Sequence, residues 1–201
     1  MKAISAVLNL RYGFIPWRMS LSIPTKIAMV VAMAGLTGLL AQVRIPLGFT
    51  PVPFTGQVMA VLLAGVLLGR RWGGASMALY AGLGMAGVPW FAGMSGGLGA
   101  TTGYIVGFIP ATLFLGYFID KYPATRKILP MFALMVCATL LYYIPGVLWL
   151  NTWLNTAGLG GAGTLGLLSL GFTPFIVGDL VKALMAAAIA KVVVAKAGSN
   201  S

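Results

Sequence analysis

Gly178-Asp179-Leu180-Val181-Lys182-Ala183 lies within a run from Leu167 to Ala195 that is otherwise almost wholly apolar. Asp179 is one of only two acidic residues in the chain. Lys182 follows three positions later, and on a helix that spacing stacks both side chains on one face. A charge at the centre of a bilayer costs about 2.5–3.5 kcal/mol. A chain that keeps one of each sign there holds an ion pair locking two helices, a ligand site, or both.

The rest of the composition makes the bilayer the right frame. Of 201 residues, 60% are hydrophobic and 7% charged, and the mean hydropathy is +0.99. These values predict an all-α polytopic membrane protein with room for about six transmembrane helices at about 20 residues each. No polar stretch is long enough for a separate soluble domain, so residues 1–201 read as a single membrane domain. Residues 1–23 form a cytoplasmic lead with no signal-peptide pattern and the makings of a short surface helix. Residues 24–195 form the bundle, and 196–201 form a tail. Cys137 stands alone, so there is no disulfide frame and no cysteine metal site. The absence of histidine removes the usual general base, the commonest metal ligand and every Ser-His or Cys-His nucleophile. With two carboxylates besides, a membrane enzyme is disfavoured, and no catalytic or metal-binding residue is assigned.

The predicted spans are 24–41, 55–69, 72–86, 104–119, 128–150 and 171–194. Pro24 suits a first helical turn, and Pro145 a kink. Ala28 and Ala32, four apart on the first span, make a small face that another helix can approach closely. That helix could belong to the protein's own bundle or to a partner. Arg70-Arg71 reads as a basic turn between the second and third spans. Pro46, Pro51 and Pro53 exclude a continuous helix in the first loop. The loop Gly87–Gly103 is charge-free and glycine-rich, and glycine lets backbone come close to a ligand. Trp90 and Phe91 give it an anchor or a cap.

The net charge of +11 sorts by side rather than pointing to nucleic acid. Lys2, Arg11, Arg18, Lys26, Arg70, Arg71, Lys121, Arg126, Lys127, Lys191 and Lys196 fall at one end of the six-span scheme. Arg44 alone falls at the other, and Lys182 lies within a span. The positive-inside rule then puts both termini in the cytoplasm. It turns loops 42–54, 87–103 and 151–170 outward, above Asp179 and Lys182. Polar pair, aromatic residues and close-approach glycines converge on one outward pocket.

Several separated stretches resemble the BioY family. They are Thr50-Pro51-Val52-Pro53-Phe54-Thr55-Gly56-Gln57, Leu62-Leu63-Ala64-Gly65, Leu68-Gly69 and Gly87-Val88-Pro89. Phe91-Ala92-Gly93, Ser95-Gly96-Gly97-Leu98-Gly99, Gly103-Tyr104-Ile105-Val106-Gly107-Phe108 and Gly178-Asp179-Leu180-Val181-Lys182 follow in the same order. The resemblance covers about residues 24–195. One departure is Gly99-Ala100-Thr101-Thr102-Gly103-Tyr104, where the family usually reads Gly-Pro-Thr-Gly-Gly-Tyr. BioY proteins are the biotin-specific substrate-binding (S) components of energy-coupling factor (ECF) vitamin transporters. The resemblance therefore implies a high-affinity biotin-binding subunit in the cell membrane. Its partners would be a transmembrane coupling subunit and two ATP-binding subunits, with Ala28 and Ala32 resembling the docking face for the coupling subunit.

Biotin fits the residues. Its ureido ring offers two N–H donors and one carbonyl acceptor. Asp179 can accept from an N–H, in a charge-assisted bond about twice as strong as a neutral one, and Lys182 can hold Asp179 ionised. Trp90, Phe91 and Tyr104 can wall the apolar ring, with Ser95, Gly96, Gly97 and Thr101 supplied by the loop. The acid tail could meet loop N–H groups, Tyr104, Lys182 or Arg44. The chain lacks a GxxxxGK[ST] loop, so ATP is used by partner subunits and no cofactor is expected here. The alternative is a stand-alone permease that uses Asp179 and Lys182 as an intramembrane polar switch.

Overall fold

The computed structural model describes residues 14–199, with side-chain surroundings through Val194. The expected placement of the first residues, with Lys2 and Arg11, and the last two residues of the tail lie outside that range. Eight α-helices are described: α1 Phe14–Ser20, α2 Ile23–Gln42, α3 Gln57–Leu67, α4 Gly69–Met85, α5 Thr102–Lys121, α6 Ile128–Thr156, α7 Thr164–Gly171 and α8 Ile176–Ser199. Between α2 and α3 the chain forms a small antiparallel ribbon of β1 Arg44–Ile45 and β2 Phe54–Thr55. The short α1 falls within the expected lead, and its Phe14, Ile15 and Arg18 are buried against the bundle.

α5 is the hub and packs on α6, α4 and α3, while α8 closes the bundle against α3 and α6. Glycines make the α5–α6 contact close. A Cβ on Gly107 would stand 2.7 Å from the Cα of Tyr142, and one on Gly103 would strike Pro145 and Trp149. Gly146 of α6 likewise leaves room for the Tyr104 ring. Small residues that let helix backbones approach are the usual device where lipid provides no hydrophobic drive between helices. Hydroxyls inside the helices bond back to their own turn, as with Thr37 to Met33 O and Thr112 to Phe108 O. Among the described residues no buried side-chain nitrogen or oxygen lacks a partner. Outward faces carry bare aliphatic side chains, Leu129 at 75%, Val177 at 73% and Leu39 at 70% exposure. Such a belt suits lipid and not water.

Among the described residues, three helices, α2, α5 and α6, are long and apolar enough to cross a membrane. Two predicted spans take a different form. The chain from 55 to 86 becomes the 11-residue α3 and the 17-residue α4, meeting at Leu68. Arg70 and Arg71 are therefore not a turn but the first turn of α4. Gly69, at φ +76°, bends the chain instead. The Asp120 carboxylate of α5 caps the new helix by accepting from the Arg70 N–H at 3.0 Å.

The chain after residue 150 is also more ordered than expected. α6 runs past the predicted end at residue 150 to Thr156, where Gly158 at φ +72° turns the chain. α7 occupies part of the predicted loop 151–170. The last helix starts at Ile176, after a 3-10 turn Thr173–Phe175 that contains Pro174.

Candidate functional site

Asp179 occupies the first turn of α8 and is 5% exposed. Its Oδ1 accepts from Lys182 Nζ at 2.8 Å. Its Oδ2 accepts from the hydroxyl of Tyr143 at 2.6 Å and from that of Tyr142. Both tyrosines come from α6, delivered by the glycine contact with α5. An ionised carboxylate has about four acceptor sites. Three are taken, which leaves one open. Lys182 Nζ stands 3.5 Å from the centroid of the Phe54 ring, a partly desolvated cation–π contact. Phe54 in turn lies against Gly178, where any Cβ would meet its ring. The β1–β2 ribbon thus seats an aromatic lid directly on the ion pair.

A cavity opens beside the pair, lined by Val52, Thr55, Gln57, Thr101, Tyr104, Ile105, Phe108, Tyr142, Tyr143, Phe175, Asp179 and Lys182 among others. Its volume is about 50 Å³ once a water's own radius is excluded. Gln57 is oriented by accepting from Thr55 Oγ1 at 2.8 Å and donating to Tyr80 Oη at 2.6 Å. Tyr104 donates to Gly171 O at 2.8 Å, tying α5 to the segment before α8. A second cavity, about 300 Å³ by the same measure, adjoins the first and shares Pro53 and Thr101 with it. It is lined by Arg44, Thr50, Ser95, Gly99, Ala100 and Trp153 among others. Arg44 lies against Gly93, where a Cβ would collide with the guanidinium. These are concave, largely apolar walls with a few convergent polar groups, the form of a small-molecule site.

The predicted site residues divide between these places. Asp179, Lys182, Tyr104 and Thr101 come together at the inner cavity, and Ser95 joins the outer one. Trp90 and Phe91 do not wall the inner cavity. They pack on Tyr80 of α4 with ring centroids 5.2 and 5.3 Å away, and Trp90 Nε1 donates to Tyr80 O. Their role is to pin the loop to the bundle. Gly96 backs onto the backbone of Gly87 and Val88, and Gly97 N donates to Gly84 O, so these two shape the loop away from either cavity. Ala28 and Ala32 are exposed on α2. The sequence reading missed Tyr142, Tyr143, Gln57 and Phe54.

An apolar helical bundle that keeps a tyrosine-bound ion pair beneath folded loops is a membrane-embedded ligand-binding protein. A BioY family model matches residues 10–199, and the chain belongs to the BioY family. Among relatives, the probable biotin transporter BioY of Methanothermobacter thermautotrophicus is 49% identical over 67% of this chain and 88% of its own length. The biotin transporter BioY of Thermotoga maritima is 36% identical over 75% of this chain and 84% of its own. The fold is similar to the crystal structure of the S-component for biotin from an ECF-type ABC transporter. The TM-score is 0.75 at 24% identity, covering 87% of this chain and 94% of that one.

Proposed function

We propose that this chain is the biotin-binding subunit of an ECF-type uptake transporter, with Asp179 and Lys182 reading the ureido ring. The observation that carries the reading is the pair itself: buried, bonded by two tyrosines, and left with one open acceptor site at a cavity wall. Membership of a family whose relatives are named biotin transporters supports the choice of ligand. Arg44, at the rim of the adjoining cavity, is well placed for the acid tail, because a guanidinium matches a carboxylate bidentately. The inner cavity is smaller than the roughly 300 Å³ of common ligand sites. Biotin would therefore also draw on the adjoining cavity of about 300 Å³. ATP-driven steps belong to partner subunits.

The detergent-purified chain is expected to bind biotin saturably. Lipoate keeps an acid tail and a sulfur ring but lacks the ureido donors, and should bind at least roughly ten-fold more weakly. Equal binding of the two compounds, or none of biotin, overturns the ligand assignment.

The proposed topology has six spans with both termini inside, supported by eleven cations at one end of the scheme. In a Cys137→Ala background, Leu159→Cys should react with a membrane-impermeant maleimide on intact cells. Ala124→Cys should react only after permeabilisation. The opposite pattern would invert the molecule and place the site inside.

A further inference from the structure

A third cavity, about 550 Å³ by the same measure, lies at the opposite end of the bundle. Arg18, Lys26, Arg70, Arg71 and Lys121 line it, against Asp120 as its one carboxylate. Asp120 is already used: Oδ1 accepts from Arg18 and Oδ2 from the Arg70 N–H. Arg18 is itself structural, buried and donating also to Val66 O at 3.2 Å. That leaves Arg70, Arg71 and Lys121, with Lys26, whose Nζ donates to Met19 O at 2.8 Å but meets no carboxylate. The chain has only two acidic side chains, and the other, Asp179, is paired with Lys182. No side-chain carboxylate in this protein is left to neutralise the four cations.

Two of them are held in place by one ring. The Arg70 guanidinium lies 5.3 Å and Lys121 Nζ 5.1 Å from the Tyr117 centroid, and Lys121 donates to Tyr117 Oη at 2.7 Å. Arg70 and Tyr117 also line a shallower groove, about 280 Å³, whose other walls are Leu113 and Phe114 of α5. A cationic cavity therefore runs directly into an apolar groove on the outside of the bundle. A free anion would use only the first part. A molecule with a phosphate head and an acyl chain uses both.

We infer that this cavity and groove form a site for an anionic phospholipid, its phosphate among Arg70, Arg71, Lys26 and Lys121 and an acyl chain along Leu113 and Phe114. Basic pockets between membrane helices on the cytoplasmic side bind such head groups. The placement rests on the orientation given under Proposed function.

The test is native mass spectrometry of the purified chain titrated with phosphatidylglycerol, phosphatidylcholine or inorganic phosphate. One phosphatidylglycerol is expected to be retained with roughly ten-fold preference over phosphatidylcholine, and millimolar phosphate should not displace it. The variant Arg70→Gln, Arg71→Gln, Lys121→Gln should lose that preference. A control that neutralises Lys127 and Lys191, which do not line the cavity, should keep it. Arg71→Gln alone, at an exposed position, provides a milder version should the triple variant fold poorly. Equal retention of the two lipids, equal loss in the control, or displacement by free phosphate overturns the inference. So does a triple variant that keeps its lipid but no longer co-purifies with the ATP-driven partner, which would assign the cavity to a protein. Biotin binding measured on the same variants should match the parent, so failure of the lipid site and failure of the ligand reading can be told apart.

Discussion

Asp179→Asn is expected to weaken biotin binding and to lower stability sharply, and adding Lys182→Met to it should restore stability without restoring parental affinity. Breaking one side of a buried pair costs about 3–5 kcal/mol, because the survivor is left charged and unpaired. The two single variants should not be equal. After Asp179→Asn, Lys182 keeps the Phe54 ring, 3.5 Å from centroid to Nζ, and a neutral amide oxygen. After Lys182→Met, the Asp179 carboxylate keeps two phenol donors, Tyr142 and Tyr143. Hydrogen bonds to a charged group contribute about 1.5–3 kcal/mol each, whereas a desolvated cation–π contact contributes about 2 kcal/mol. Asp179→Asn should therefore be the more damaging.

In the double variant no charge is stranded. The Asn oxygen still accepts from Tyr143, and the Met sulfur can rest on Phe54. Thermal unfolding in detergent should return close to the parent. Biotin should still bind roughly 10- to 100-fold more weakly, the loss of one charge-assisted bond. Parental affinity in the double variant would reduce the pair to a helix lock.

The sequence made this pair legible because opposite charges three residues apart in an apolar run are costly to keep unless they meet each other or a ligand. Its surroundings were harder to read. Tyr142 and Tyr143 sit in Leu140-Leu141-Tyr142-Tyr143-Ile144, which periodicity reads simply as membrane span. The available signal was chemical: two adjacent phenols inside lipid must each find an acceptor, and the chain has one intramembrane carboxylate to offer. Gln57 carried a similar signal, a buried amide in an otherwise apolar helix. Trp90 and Phe91 stand away from the inner cavity for a geometric reason. An aromatic residue in a loop fills whatever void its turn points to, and Gly84 left that void on α4: the Phe91 ring occupies the space where a side chain there would begin.

Helix limits failed at charges and prolines. Arg70-Arg71 marks where apolar sequence stops, but a helix can begin with arginine when a carboxylate from elsewhere caps it. Asp120 does this across fifty residues of sequence. The exposed doublet stays at the end of the molecule where the charge pattern of the sequence also places it, but the cavity it lines there comes only from the fold.

Ala28→Leu combined with Ala32→Leu should stop biotin uptake by the assembled transporter while the isolated variant binds biotin as the parent does. α2 has two faces. Val30, Met33, Ala34, Thr37, Gly38 and Ala41 are buried in the bundle. Ala28 and Ala32 are exposed, beside Ile27 at 51% and Val31 at 54% exposure. The small pair therefore does not pack the chain's own core, one of the two readings its spacing allowed. Lipid alone gives no reason for small side chains there, since leucine is equally soluble in it. A second helix at close range does. Overfilling a close contact costs about 1–3 kcal/mol per site, so two such sites should weaken docking by roughly 30-fold or more. Ala133→Leu, which adds the same bulk at an exposed position on α6, should leave uptake intact. Uptake and binding measured side by side decide the matter. If the double leucine variant loses binding along with uptake, the face serves the pocket rather than a partner. If it loses neither, any partner docks elsewhere on the bundle.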